Sequence, residues 1–321
     1  MSLVSRLIKA NPSIQVSDVL AGTFTLPSAK GVFDSTVRAL IMGGYVSTTS
    51  TVVNIVEYVD ISTTGNATDF GDLSAVRYSG GGCGSSTRAI IGGGNNSSFA
   101  AVNIMEYFTI ASTGNATDFG DLTSSRQGPG AASNSTRGLY AGGTELSTAI
   151  DYITIATTGN GTSFGTLAAG KQNLSGCGSS TRALFGGGQI AVDNSTAIEY
   201  VTIATTGNAT SFGNLTASRN TISSCSSSTR GVWGGGSAGN ILDYVTIAST
   251  GNATDFGDLT VNQNAPSATS SPTRGIFSGG DGSTNVIGYI TIDTTGNATD
   301  FGDLTQARGW TASSSTAHGG L

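Results

Sequence analysis

The sequence predicts an all-β fold: a six-bladed β-propeller of four-stranded antiparallel blades, its ring closed by the C-terminal strand joining the first blade. Three observations predict it. The stretch Thr-Thr-Gly-Asn-Ala-Thr-Asp-Phe-Gly-Asp-Leu at Thr63–Leu73 returns at Ser112–Leu122, Thr157–Leu167, Thr205–Leu215, Ser249–Leu259 and Thr294–Leu304, at steps of 49, 45, 48, 44 and 45 residues. A period in this range marks a repeat architecture, in which each unit buries its faces against its neighbours. Each repeat also holds four short strand-like pieces separated by Gly-, Asn- and Ser/Thr-rich turns, with no helical periodicity. Finally, the two ends complement each other. Residues 309–316 match the first strand of a blade, whereas the repeat that starts near Asp34 has a poor candidate for that strand in 28–33.

Two segments follow from the repeat: an N-terminal arm, residues 1–28, and the propeller, residues 29–321. In the arm, Leu3, Leu7 and Ile8 share one face of a short helix that Asn11-Pro12 would stop, and an extended piece follows. Too short to fold alone, it is either a strap along the propeller or an attachment arm; being the part that does not repeat, it is expected to be the latter, with Leu3, Leu7 and Ile8 as its contacts.

Each blade then opens on a strand of tiny residues, such as Gly-Gly-Gly-Cys-Gly-Ser-Ser at 80–86, suited to the crowded axis. The second piece runs from an arginine through an apolar trio into paired glycines, as in Arg88-Ala-Ile-Ile-Gly-Gly. Glycine pairs tolerate positive φ and end the strand. The third is rich in β-branched residues around a fixed tyrosine: Tyr58, Tyr107, Tyr152, Tyr200, Tyr244 and Tyr289. In the fourth, Thr-Gly-Asn is expected to make a tight hairpin turn and Phe-Gly-Asp-Leu the outer strand.

Composition narrows the function. Charged residues make up 11% of the 321, against roughly 25% in ordinary soluble domains. The surface is therefore polar but weakly charged. A net charge of −6 with its 14 Lys and Arg spread evenly offers no patch for phosphates, so no nucleic-acid partner is expected. No apolar run approaches the eighteen or so residues of a membrane-spanning helix, so no membrane insertion is expected, and residues 1–10 lack a signal-peptide pattern. Cys83, Cys177 and Cys225 share a slot that Ala132 and Thr269 also fill, which reads as a small buried residue.

The order Arg77, Ile90-Ile91, Gly92-Gly93, Glu106-Tyr107, Phe119 and Leu122 resembles the kelch repeat, and the resemblance covers roughly residues 31–316. Two departures are visible. Phe70, Phe119, Phe164, Phe212, Phe256 and Phe301 stand where kelch repeats have Trp, and Gln263 interrupts the basic series Arg77, Arg126, Lys171, Arg219 and Arg308. The Gly-, Ser-, Thr- and Asn-rich near-identical repeats also resemble propeller proteins of bacteriophage particles. That likeness implies a virion location, other virion proteins as partners, and a host surface glycan or protein as a target.

Catalytic chemistry is not expected. One histidine, His318, supplies neither a copper site nor a Ser-His-Asp set, and the cysteines lack zinc spacing, so no metal or cofactor is expected. The arginines Arg38, Arg88, Arg137, Arg182, Arg230 and Arg274 allow two readings: a rim that binds an anion, or ties to an Asp of the same or the next blade. The loops between the second and third strands change length and composition while the framework does not. Loops on a rigid scaffold commonly carry specificity, so Asn95, Asn96, Phe99, Glu145, Leu146, Asp193 and Asp281 are the candidate binding residues. The expected function is a non-enzymatic structural or binding propeller, a virion tail, neck or head-fibre component. The alternative is a lectin-like propeller with repeated carbohydrate sites.

Overall fold

The computed structural model describes residues 37–281 and 284–321. The arm, with Leu3, Leu7 and Ile8, lies outside the described residues. Within them are twenty-four strands and one short helical turn, arranged as six four-stranded antiparallel sheets. The first sheet has the order β24-β1-β2-β3, formed by Ala312–Ser315, Arg38–Val46, Thr51–Asp60 and Thr68–Asp72. The second runs β4-β5-β6-β7, from Gly81–Gly84 through Arg88–Gly92 and Ile104–Thr109 to Thr117–Asp121, and the next four repeat that order. Closure is as the sequence predicts: β24 pairs with β1 through Ala39↔Ser315, Leu40↔Ser314, Ile41↔Ser313 and Met42↔Ala312.

The core lies between blades. In one seam Leu40, Met42, Val56, Phe70 and Leu73 of the first blade meet Ala89, Ile91, Phe108 and Ile110 of the second, and five similar clusters complete the ring. A buried side chain of this size contributes roughly 1.5–3 kcal/mol. The inner strands of successive blades touch around the axis, where serine hydroxyls join them to the neighbouring backbone. Ser133 Oγ donates to Gly84 O, Ser226 Oγ to Gly178 O and Ser270 Oγ to Ser226 O.

The opening motif departs from expectation. Instead of closing a tight hairpin with Asn at positive φ, its Gly-Asn-Ala runs along the outer strand of the preceding blade. Gly114 N donates to Phe70 O, Ala116 N to Asp72 O, and Asp72 N to Asn115 Oδ1, at 2.8, 2.8 and 3.0 Å. The same three bonds recur at every seam, including Gly65, Asn66 and Ala67 against Phe301 and Asp303. The glycine of Phe-Gly-Asp is required by this contact. A Cβ on Gly71 would lie 2.3 Å from Gly114 O, and its φ is +150°. The latch covers an edge that would otherwise offer unpaired backbone groups to other chains.

Both arginine series also tie blades together. Arg88 sits 4.5 Å over its own Tyr107 ring and donates to Ile155 O of the next blade; the other five arginines of that series do the same, so the partner is a carbonyl and not an Asp. The tie between blades is made without a carboxylate. The carboxylate partners belong to the other series. Arg77 pairs with Glu106, Arg126 with Asp151, Lys171 with Glu199, Arg219 with Asp243, and Arg308 with Glu57, each reaching from one blade into the next and all buried. At the remaining seam Gln263 faces a strand whose acidic slot is Gly288, so charge and countercharge are missing together. Gln263 keeps the carbonyl bond, from Nε2 to Val286 O at 3.2 Å.

A buried pair contributes little beyond an apolar equivalent, but breaking one half leaves a stranded charge. Arg219→Gln alone is therefore expected to destabilise the fold by about 3–5 kcal/mol. The double change Arg219→Gln with Asp243→Gly, which copies the Gln263–Gly288 seam, should recover most of that loss. Urea unfolding measures both; equal losses would show that Asp243 needs no counterion.

Candidate functional site

Antiparallel alternation sends the connections between second and third strands, and those leading from one blade to the next, to one face. That face is held rigidly. The second glycine of each pair donates to the carbonyl of the basic-slot residue, as Gly44 N does to Arg77 O at 2.8 Å, and the six equivalent bonds close a circle. Positive φ is required here: Gly43 has φ +64°, and a Cβ on it would lie 2.3 Å from Arg77 O.

Nearer the axis is a second circle. Ser79, Gly128, Asn173, Thr221, Ala265 and Trp310, all at positive φ, each donate from N to the carbonyl of the preceding member, at 2.7–3.0 Å, and the sixth bond returns to the first. These residues frame the mouth of an axial cavity of about 100 Å³, walled by glycine, serine and alanine. A smaller axial cavity of about 50 Å³ lies towards the opposite face, lined by Cys83, Cys177, Cys225 and the inner-strand serines. The three cysteines are buried and unbridged, and burial pushes the Cys83 and Cys177 thiols up to about 12, which leaves them protonated and inert.

His318 walls the smaller cavity. Its Nδ1 accepts from Gly320 N at 3.2 Å, which leaves Nε2 to face Gly84 O at 3.3 Å and Ser133 Oγ at 3.2 Å. The tail thus folds over the axis, where Gly319 and Gly320 pack against carbonyls of Ser227 and Ser133. The sequence pattern held no signal for this, because the tail repeats nothing.

Each candidate residue has a definite place on the loop face. Asn95 is buried, exchanging backbone bonds with Tyr78 and donating from Nδ2 to the Tyr78 hydroxyl at 2.9 Å. Asn96 closes the turn beside it, its Oδ1 accepting from Ser98 N and Ala100 N. That turn lifts Phe99, at φ +59° and 58% exposed, out of the face. Glu145 and Leu146 form a short helical turn at Thr144–Leu146, both at positive φ, with Glu145 exposed and Leu146 partly covered. Asp193 is exposed in a turn where its carbonyl accepts from Ile190 N. Asp281 is exposed at φ +44° and helps line a cleft of about 300 Å³ with Gly236, Ser237, Asn262 and Asn264. The seven therefore share a face but not a site; they are spread over blades two, three, four and six.

What the loop pattern alone did not assemble is an aromatic group at the seam of the first and second blades. Tyr45, Tyr78 and Phe99 meet with ring centroids 5.7, 6.0 and 6.3 Å apart. The signal was present in two slots. Where Tyr45 stands, the other blades have Asn95, Thr144, Gln189, Ser237 and Asp281; where Tyr78 stands, they have Gln127, Gln172, Asn220, Asn264 and Gly309. Among the described residues no three His, Cys, Asp or Glu side chains converge as a metal site would require. No protein-family model matches the chain, and no curated protein matches it.

Burial pushes the His318 imidazole down to about 4. The folded state then resists a proton that the unfolded chain takes up near 6.5, so stability should fall as pH drops from about 6.5 to 4 and be flat above. With one histidine in the chain, its NMR titration reads this directly. A midpoint near 4 is expected; one near 6.5 would place the imidazole outside the channel, and His318→Gln should flatten the acid limb of the stability curve.

Proposed function

We propose that this chain is a non-catalytic binding propeller that presents its loop face to a partner. One observation carries the reading: the six seams repeat nearly bond for bond, whereas the loop face carries different side chains in every blade, several of them held exposed on left-handed backbone. Backbone strain of this kind persists where surrounding structure enforces it and commonly accompanies binding sites. The latched outer strands, which carry exposed carboxylates such as Asp69, Asp72, Asp118 and Asp121, favour a body that stays soluble at high local concentration, as part of a larger particle would be.

On this reading the chain is a virion component of tail, neck or head-fibre type. The arm, through Leu3, Leu7 and Ile8, docks to other virion proteins, and the loop face meets a host surface glycan or protein. The kelch-like order of residues and the phage-like repeat style support it. Deleting residues 1–26 should abolish incorporation into particles, scored by mass spectrometry of purified virions, while leaving the propeller's thermal midpoint within a few degrees. Alanine at Phe99, Glu145, Asp193 and Asp281 together should leave incorporation intact and abolish adsorption to cells. Normal incorporation without the arm, or normal adsorption of the quadruple variant, would overturn the corresponding half.

A further inference from the structure

We infer that Tyr45, Tyr78 and Phe99 form a single binding site for a neutral hexopyranose, the terminal or internal sugar of a glycan, at the seam of the first two blades. The inference rests on the reading of the loop face as the binding face and names its ligand class.

Four features point to a sugar. The first is apolar surface of the right kind. Aromatic rings carry a negative face that attracts polarised C–H groups, and a pyranose presents several such hydrogens on one side of its ring. Phe99 is 58% exposed, Tyr45 and Tyr78 are half-buried, and the rings are mutually tilted or edge-on, so together they make an angled shelf rather than a flat patch.

The second is a polar fringe that can read hydroxyls. Asn95 donates from Nδ2 to the Tyr78 oxygen at 2.9 Å, which leaves the phenolic proton free to donate outward. Asn95 Oδ1 is buried and has no partner, an acceptor beside the shelf held in a residue only 2% exposed. Buried polar atoms are rarely left unpaired; Asn95 is thus a positioning residue, and the Tyr78 hydroxyl it holds is the group that meets a sugar hydroxyl.

The third is charge. Asn96, Ser97 and Ser98 surround Phe99, and neither the three rings nor that turn carries a charged side chain. A sialic acid, a sulfated sugar or a nucleotide would find no cation here, whereas a neutral sugar desolvates no ion. An apolar protein segment is a poorer fit, because Phe99 stands among Asn and Ser and not in an apolar groove.

The fourth is rigidity. Phe99 N donates to Asn96 O, Asn96 N to Ala100 O, and Tyr45 and Gly309 exchange backbone bonds across the neighbouring seam. The shelf is therefore formed before the ligand arrives, which lowers the ordering cost of weak, shallow binding. The other five seams lack these aromatics, so one site is assigned and not six.

The full chain is screened on an array of neutral and charged glycans, and hits are titrated by saturation-transfer NMR and calorimetry with the free oligosaccharide. Neutral hexose-containing glycans should bind at one per chain. Phe99→Ala should weaken binding by roughly tenfold or more, Tyr78→Phe by a smaller factor, and Val192→Ala, at a residue 93% exposed in another blade, should change nothing. Folding is checked by the unchanged thermal midpoint of each variant. Six sites per chain, a preference for charged glycans, equal binding by Phe99→Ala, or no binding at millimolar sugar would each overturn the assignment. Cell adsorption separates this failure from failure of the broader reading. Adsorption lost with the quadruple variant but kept by Phe99→Ala leaves the loop face as the binding surface and removes the sugar shelf.

Discussion

The propeller depends on backbone pairing across its seams. A blade of four short strands exposes two edges and two apolar faces, and none of these is satisfied within the blade. The seam satisfies them at several radii: a closed circle of amide bonds at the channel mouth, a second circle at the paired glycines, and the Gly-Asn-Ala latch on the outer strand. Side chains then fill the space these bonds define. The Phe and Leu of the repeated motif pack in it, and each Tyr meets the Phe of the same blade edge-on at 5.8–6.1 Å.

Electrostatics follows the same geometry. Five buried cation–carboxylate pairs link neighbouring blades, and the sixth position replaces both partners with uncharged residues. A lone change at either slot would have buried an unpaired charge, whereas the joint change removes the charge and its desolvation together. Such coupling within one chain is strong internal testimony that the slots contact each other. It also identifies the pairs as part of the scaffold rather than as acids and bases available for chemistry.

The blade count, strand order and ring closure were legible because they are written in period and hydrophobic pattern. Less was legible about contacts between repeats. Thr-Gly-Asn looks like a local hairpin turn because turn propensity is local, and no propensity says that Asn115 bonds to a backbone amide of another blade. The Asp partner expected for Arg88 was missed for a related reason: the guanidinium bonds a carbonyl, which every residue has. Of the candidate site, the face was legible from loop variation, and Phe99 from its isolation among polar residues. Tyr45 and Tyr78 were hidden by being two framework-adjacent slots 33 positions apart, visible only when blades are aligned slot against slot. His318 and the tail over the axis belong to no repeat and left no pattern to read.

The latch has a consequence for how such a chain changes over generations. Each blade carries both halves of the interface in one short motif, so any copy fits any other. A head-to-tail interface of this kind closes into a ring when the turn per unit divides the circle, and otherwise continues as a helix. Gain or loss of a repeat by unequal recombination would thus need no new interface, only a different crowding of the inner strands. The tiny residues at the axis are then the part of the sequence that counts the blades.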